Sequence, residues 1–245
     1  MNYFRLIVIY FVTQFFILLV NVNSAKAQPV KVGITGGIDV SSHLNEFWIR
    51  DEKSGIPIGF KPKITTGYQA GIIVRKDFSA LLRLQTEPSV TLLGARYEES
   101  FSIRNLDLQT KSRTKLLYLQ LPLVLQLSTI PKSRTVYGID FPTTTYHLTG
   151  GFFGGYLLDA RFSGTNSGML SDVSLKGTFS EDVASHYSDY DGGVILGGGL
   201  EYGNKKKIGF ETRALFSVFN TGNSSDLYWF RPQNMALTFS VYLLL

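Results

Sequence analysis

Apolar and polar residues alternate with a period of two along most of this chain. The clearest run is residues 117–127, where Leu117, Leu119, Leu121, Leu123, Leu125 and Leu127 are separated by Tyr118, Gln120, Pro122, Val124 and Gln126. Side chains of a strand point alternately to its two faces, so six leucines share one face and a mixed set shares the other. Seven further segments read the same way. Before the leucine run they cover about 31–41 (Val32, Ile34, Ile38, Val40), 66–76 (Tyr68, Ala70, Ile72, Val74) and 82–92 (Leu82, Leu84, Val90, Leu92). After it they cover about 146–159, 190–202, 208–218 and 234–245, the last carrying Met235, Leu237, Phe239, Val241, Leu243 and Leu245 on one face. Eight strands of about ten residues have the length that crosses a bilayer as a closed antiparallel barrel.

Alternation does not say which face points inward, but volume does. An eight-stranded barrel has an interior just wide enough for side chains to fill it. One face of the segments is bulky and apolar; the other is rich in glycine, serine and threonine. The small, polar face fits the lumen and the bulky face fits lipid. Tyr68, Tyr146, Tyr156, Tyr190 and Tyr202 lie near strand ends, where an interfacial girdle would place them. The expected fold class is therefore all-β, an eight-stranded antiparallel outer-membrane β-barrel.

Connection lengths add a topology. Segments 42–65, 97–110, 161–188 and 220–233 are long and polar, whereas those near 77–80 and 203–206 are short. Short turns belong on the periplasmic side, so both barrel termini are expected there. Segment 128–144 breaks the rule: it should be a periplasmic turn and is far too long for one. It is read either as a simple extension of the fourth and fifth strands or as a periplasmic docking element.

The N-terminus changes the picture by assigning a compartment. Arg5, an apolar core from Leu6 to Val20, and Ala25-Lys26-Ala27 form a secretory leader with cleavage expected before Gln28. That divides the chain into a signal peptide at 1–27 and a barrel domain at 28–245. No cysteine is present, which excludes a lipoprotein signal and any disulfide. Without Arg5 and Lys26 the basic residues fall from 24 to 22 against 19 acidic ones, a net charge of +3. So small an excess, with no basic helical face, excludes nucleic acid as a partner. Lys205-Lys206-Lys207 reads as a solvated turn.

Charged residues on the inward face are few. Arg75, Arg83, Glu87, Glu201, Glu211 and Arg213 share inward parity, with Asp39 and Asp159 nearer the strand ends. Opposite charges confined in a narrow lumen are expected to pair as a structural network, because an isolated buried charge is costly. His43, His147 and His186 stand far apart, and no serine lies two positions from His147. No catalytic residue, metal ligand set or cofactor is therefore assigned. The glycine-rich stretch 192–199 sits within a strand, so it serves close strand contact and not phosphate binding.

With the strands placed, the chain resembles the PorT-type outer-membrane barrels of Bacteroidetes. The resemblance rests on Lys31-Val32-Gly33-Ile34-Thr35-Gly36-Gly37, on Glu87-Pro88, and on Tyr118-Leu119-Gln120-Leu121-Pro122-Leu123. It continues through residues 150–158 (GGFFGGYLL) and 193–202 (GVILGGGLEY). It implies a Gram-negative outer-membrane barrel, with outer-membrane lipid and the barrel-assembly machinery as partners. A noncatalytic structural or interaction role is the expected function, and a part in a type IX-like secretion machinery, with a periplasmic or secretion-system partner, is the alternative. A narrow channel or a lipid-modifying enzyme ranks last. The chain departs from many such barrels in ending on Leu245 and not on an aromatic.

Overall fold

The computed structural model describes residues 30–45, 47–50, 57–103, 106–130, 135–137, 139–170, 173–222, 228–229 and 231–245. The expected signal peptide lies outside the described residues. The strands are β1 (Lys31–His43), β2 (Thr65–Asp77), β3a (Leu82–Thr86), β3b (Ser89–Ile103), β4 (Leu106–Ser128) and β5 (Thr143–Leu170). They continue as β6a (Val173–Asp182), β6b (Tyr190–Gly203), β7 (Lys207–Ser217) and β8 (Asn234–Leu244).

All pairings are antiparallel, and they close on themselves. β1 lies between β2 and β8, in register from Gly33 opposite Leu244 to His43 opposite Asn234. β3a and β3b together form the third stave between β2 and β4. β5 then joins β4 to β6b, and β7 joins β6b to β8. A ring without edges satisfies its ladder hydrogen bonds internally, which is the condition for strands to lie in lipid. The expected all-β, eight-stave architecture is the one observed.

The third stave breaks at Glu87-Pro88 because proline has no N–H to offer the ladder. Its neighbours are kept attached all the same: Ile72 N–H donates to the Pro88 carbonyl at 3.0 Å, and Glu87 N–H to the Pro122 carbonyl at 3.3 Å. Alternation then sorts the side chains as expected. Leu119, Leu121, Leu123, Leu125 and Leu127 are exposed on the outer wall, and Tyr118, Gln120, Val124 and Gln126 are buried inside. From Leu117 to Leu127, ten steps cover about 33 Å of strand, or about 25 Å along the barrel axis at a tilt of about 40°, the height of a lipid-facing band.

Three expectations are corrected. Segments 97–110 and 161–188 are not simple loops: β3b pairs with β4 out to Ile103–Leu106, and β5 pairs with β6a from Arg161–Asp182 to Leu170–Val173. The alternation continues there through Tyr97, Phe101, Ile103, Leu106 and Leu108, but its apolar residues take the parity opposite to that of the lipid face, so a reading that followed the lipid face ended the strands too early. A register shift between Leu157 and Asp159 also reverses the parity of β5. Ala160 takes the inward place, and Asp159 points outward, where Arg161 Nε donates to it at 3.1 Å. Finally, Lys207 is not part of a solvated turn; its Nζ lies 3.3 Å from Glu201 Oε2 at the mouth of the lumen.

The two barrel ends differ. One carries both barrel termini, the start of β1 at Lys31 and the end of β8 at Leu244, with the short turns at 78–81 and 204–206 and a small hairpin pairing Thr135–Val136 with Ile139–Asp140. The opposite end carries the extended β3b–β4–β5–β6a sheet and a small sheet of Phe47–Arg50, Pro57–Phe60 and Tyr228–Trp229.

Candidate functional site in the lumen

The lumen is filled in layers, beginning at the end that holds the termini. Glu201 is the centre of the first. It accepts from Arg75 Nη1, from Arg83 Nη1 at 2.9 Å, from Lys207 Nζ at 3.3 Å, and from the Tyr242 hydroxyl at 2.8 Å. Asp77 bridges this group to the rim, with Arg75 Nε at 3.3 Å and Lys31 Nζ at 2.7 Å. Tyr242 reaches Glu201 by crossing Gly209, where a Cβ would lie 2.1 Å from its ring carbon Cζ.

The second layer centres on Arg213. Its Nη1 donates to Glu87 Oε2 at 2.8 Å and its Nη2 donates both to Glu87 Oε1 and to Glu211 Oε2, the latter at 2.7 Å. Gln85 donates a further hydrogen bond to Glu87. Thr149 Oγ1 donates to Glu211 Oε1 at 2.6 Å, and His147 Nε2 lies 3.7 Å from the same oxygen. The glycine stretch makes room for these groups: a Cβ at Gly197 would meet Arg213 Cγ at 2.9 Å, and one at Gly199 would meet His147 Cε1 at 3.0 Å.

Above the charges lies an apolar layer that includes Val124, Phe153, Ile195, Leu215 and Ala236. The far end closes with uncharged donors around one carboxylate. Ser217 Oγ and Asn234 Nδ2 each donate to Asp191 Oδ2 at 2.8 Å, and Asn234 also reaches the Tyr118 hydroxyl at 3.3 Å. Beside them His43 Nδ1 is 2.7 Å from the Tyr97 hydroxyl. Asp39 stands apart on β1 and accepts from Thr238 at 2.5 Å.

The six inward charges named from the sequence thus fall into two groups: Arg75, Arg83 and Glu201 in one, Glu87, Glu211 and Arg213 in the other. The reading by parity left Lys31, Asp77 and Lys207 out of the network, although Lys31 stands in the first named segment with inward parity and Asp77 and Lys207 each extend a named segment by one residue in that parity. It could not find Tyr242 as a partner, because that contact depends on the space over Gly209. Among the described residues no three histidine or acidic side chains converge as a metal would require.

An edgeless ring with an apolar outer band and an ion-paired interior defines a membrane-spanning β-barrel. The chain belongs to the outer membrane protein beta-barrel domain family, whose model matches residues 23–223. Membership assigns the protein to the outer membrane of a Gram-negative bacterium. No curated protein matches the sequence significantly. Similar solved structures include the attachment invasion locus protein Ail of Yersinia pestis, with 11% identity over 88% of this chain and 99% of that one, at a TM-score of 0.28. They also include the N-terminal barrel of Pseudomonas aeruginosa OprF (8% identity, 86% and 97% covered, TM-score 0.27). The outer membrane protease OmpT of Escherichia coli is a third (8% identity, 91% and 97% covered, TM-score 0.34).

Proposed function

We propose that this protein is a noncatalytic outer-membrane barrel with a structural or interaction role, whose lumen is a plug. The observation that carries the reading is the continuity of the filling. Arg75, Arg83, Glu87, Glu201, Glu211 and Arg213 act as a structural charge network. Each of the six has an ion-pair partner within the lumen, and an apolar layer seals the space beyond them. Charges committed to one another are unavailable to a permeating ion or a substrate. Both termini face the periplasm in this reading, since the short turns lie at their end. Planar-bilayer recording on the refolded protein tests the plug: the expected result is no steady conductance, and discrete channel openings would refute it.

A second reading, a component of a type IX-like secretion machinery, rests on the PorT-type resemblance and on one local feature. The hairpin at Thr135–Asp140 projects beyond the barrel at the termini end, and Tyr137 at its turn is fully exposed. An aromatic held out on a periplasmic hairpin suits a protein partner. The secreted-protein profile of a clean deletion strain decides between the readings. Loss of exported cargo with precursors accumulating in the periplasm supports the secretion role, and an unchanged profile leaves the structural one.

A further inference from the structure

Among the described residues the outer wall carries one strongly basic patch, and its placement by register is explicit. Three lateral rows cross β3b, β4 and β5 immediately beyond the leucine face. Gly94, Lys115 and Arg161 form the first; Arg96, Arg113 and Ser163 the second; Glu98, Lys111 and Thr165 the third. Lys63 bridges to Arg96 and so extends the second row. Six basic residues therefore face outward against Glu98, Asp159 and Asp182, the last set opposite Arg161 by the register, a local excess of three positive charges. Asp182 Oδ1 accepts from the Ala184 N–H at 2.9 Å, and Lys176 lies further along β6a, opposite Ser167. Among the described side chains, the outward positions of the strands elsewhere carry a single charge, Lys76, at the opposite end.

Two of these rows set like charges directly opposite each other: Lys115 against Arg161, and Arg96 against Arg113. Such cross-strand pairs are destabilising unless something negative lies between them. The protein supplies little. Glu98 is committed to Lys63 Nζ at 2.7 Å and to Arg96 at 3.3 Å, and Asp159 to Arg161. The hydrogen bond and charge of Lys63 hold the Glu98 carboxyl below its ordinary value. Lys115 has no salt bridge among the described residues. Arg113 places one guanidinium nitrogen on the Thr66 carbonyl, while its Nε, shielded from water, has no partner.

Height fixes the environment. Tyr156 and Tyr190, with ring centroids 5.5 Å apart, lie in the lateral row of Leu119 and mark the membrane interface. The Lys115 row is four residues further along β4, about 13 Å of strand, which puts it at headgroup level. Directly beneath it the exposed Val90, Leu119 and Leu121 offer a surface for acyl chains.

We propose that this patch is a binding site for a phosphorylated outer-leaflet lipid, its phosphate seated among Arg96, Arg113, Lys115 and Arg161 and its acyl chains lying on the leucine wall. The leaflet rests on the orientation given under the proposed function; the phosphate requirement does not.

Native mass spectrometry of the full barrel in neutral detergent tests this, with bis-phosphorylated lipid A, the same lipid A stripped of phosphate, phosphatidylcholine and inorganic phosphate as probes. Wild type is expected to retain phosphorylated lipid A about tenfold or more over the stripped form. The R96Q/R113Q/K115Q/R161Q variant is expected to lose that preference, and K205Q/K206Q, at the opposite end, to keep it. Equal retention of both lipid A forms by wild type overturns the site without recourse to any variant. Retention of inorganic phosphate alone overturns the lipid assignment. Orientation is read separately: the chain has no cysteine, so N166C and Y137C are clean labels for an impermeant maleimide on intact cells. Labelling at 166 and not at 137 is expected; the reverse overturns the leaflet while the micelle result still judges the phosphate site.

Discussion

Replacing Arg213 with methionine is the sharpest test of the lumen. Arg213 makes three charge-assisted contacts, two with Glu87 and one with Glu211, and the two carboxylates are almost completely buried. Methionine keeps most of the apolar stem and deletes the fork. Two carboxylates then face each other with only Gln85, Thr149 and the ring of His147 nearby. Removing one partner of a buried pair costs about 3–5 kcal/mol, chiefly because the remaining charge stays desolvated. Here two charges are stranded, so the upper part of that range is expected. The mechanism makes a second demand: R213M/E87Q/E211Q removes the stranded charges as well and should recover most of the loss, since neutral amides can hydrogen-bond among themselves. Folding into lipid vesicles, followed by gel mobility across a denaturant series, yields both free energies from midpoint and slope. K63M breaks an exposed, solvent-screened pair and should cost far less than R213M in the same assay. If R213M loses less than that control, or if the triple variant is no more stable than the single one, the charge network is not what stabilises the lumen.

Three further outcomes are expected. L121R puts a charge near the middle of the lipid wall and should cost about 2–4 kcal/mol of vesicle folding, whereas L127R, at the end of the same leucine face, should cost about 0–1 kcal/mol; equal losses would refute the assignment of this face to lipid. G209V forces its side chain onto the Tyr242 ring and should destabilise by about 1–3 kcal/mol, while G36A, whose Cβ meets nothing closer than 3.8 Å, should be nearly neutral in the same titration. Replacing residues 131–141 by a two-residue turn should leave gel mobility and folding unchanged; if the secretion reading holds, cargo export is lost, and survival of export removes the hairpin as a docking element.

What was legible in the sequence is what period-two alternation encodes. Leu117 to Leu127 alternate without interruption and define a strand, a lipid face and a lumen face together. The same parity argument brought Arg75 and Glu201 to one side of the wall although 126 positions separate them. It failed where local structure breaks parity. Nothing about Leu157-Leu158-Asp159 announces a bulge, yet that bulge turns Asp159 out to solvent. The extensions of β3b, β4, β5 and β6a were hidden for another reason. The lipid-facing apolar parity ends where lipid ends, and Tyr97, Phe101, Ile103, Leu106 and Leu108 take the opposite parity while the ladder of hydrogen bonds continues. Contacts such as Tyr242 with Glu201 need the register between strands as well as the parity within one.

The end of the lipid-facing pattern is itself informative about the charges. Within the band, every arginine or lysine on the inner face of the wall is matched by a carboxylate: Arg75 and Arg83 by Glu201, Arg213 by Glu87 and Glu211. Outside the band, on the outer face, Arg96 and Arg113 stand side by side, as do Lys115 and Arg161, with their few acidic neighbours already engaged. Low dielectric explains the first arrangement, since an unpaired charge there is too costly to keep. It does not explain the second, because exposed strands tolerate alternating signs as easily as matching ones, and alternating signs would be more stable. Protein stability alone therefore does not account for four like charges held at headgroup height above a leucine wall. An anion supplied by the membrane does, and it predicts that removing the lipid phosphate, and not removing a protein acid, is what abolishes the patch's selectivity.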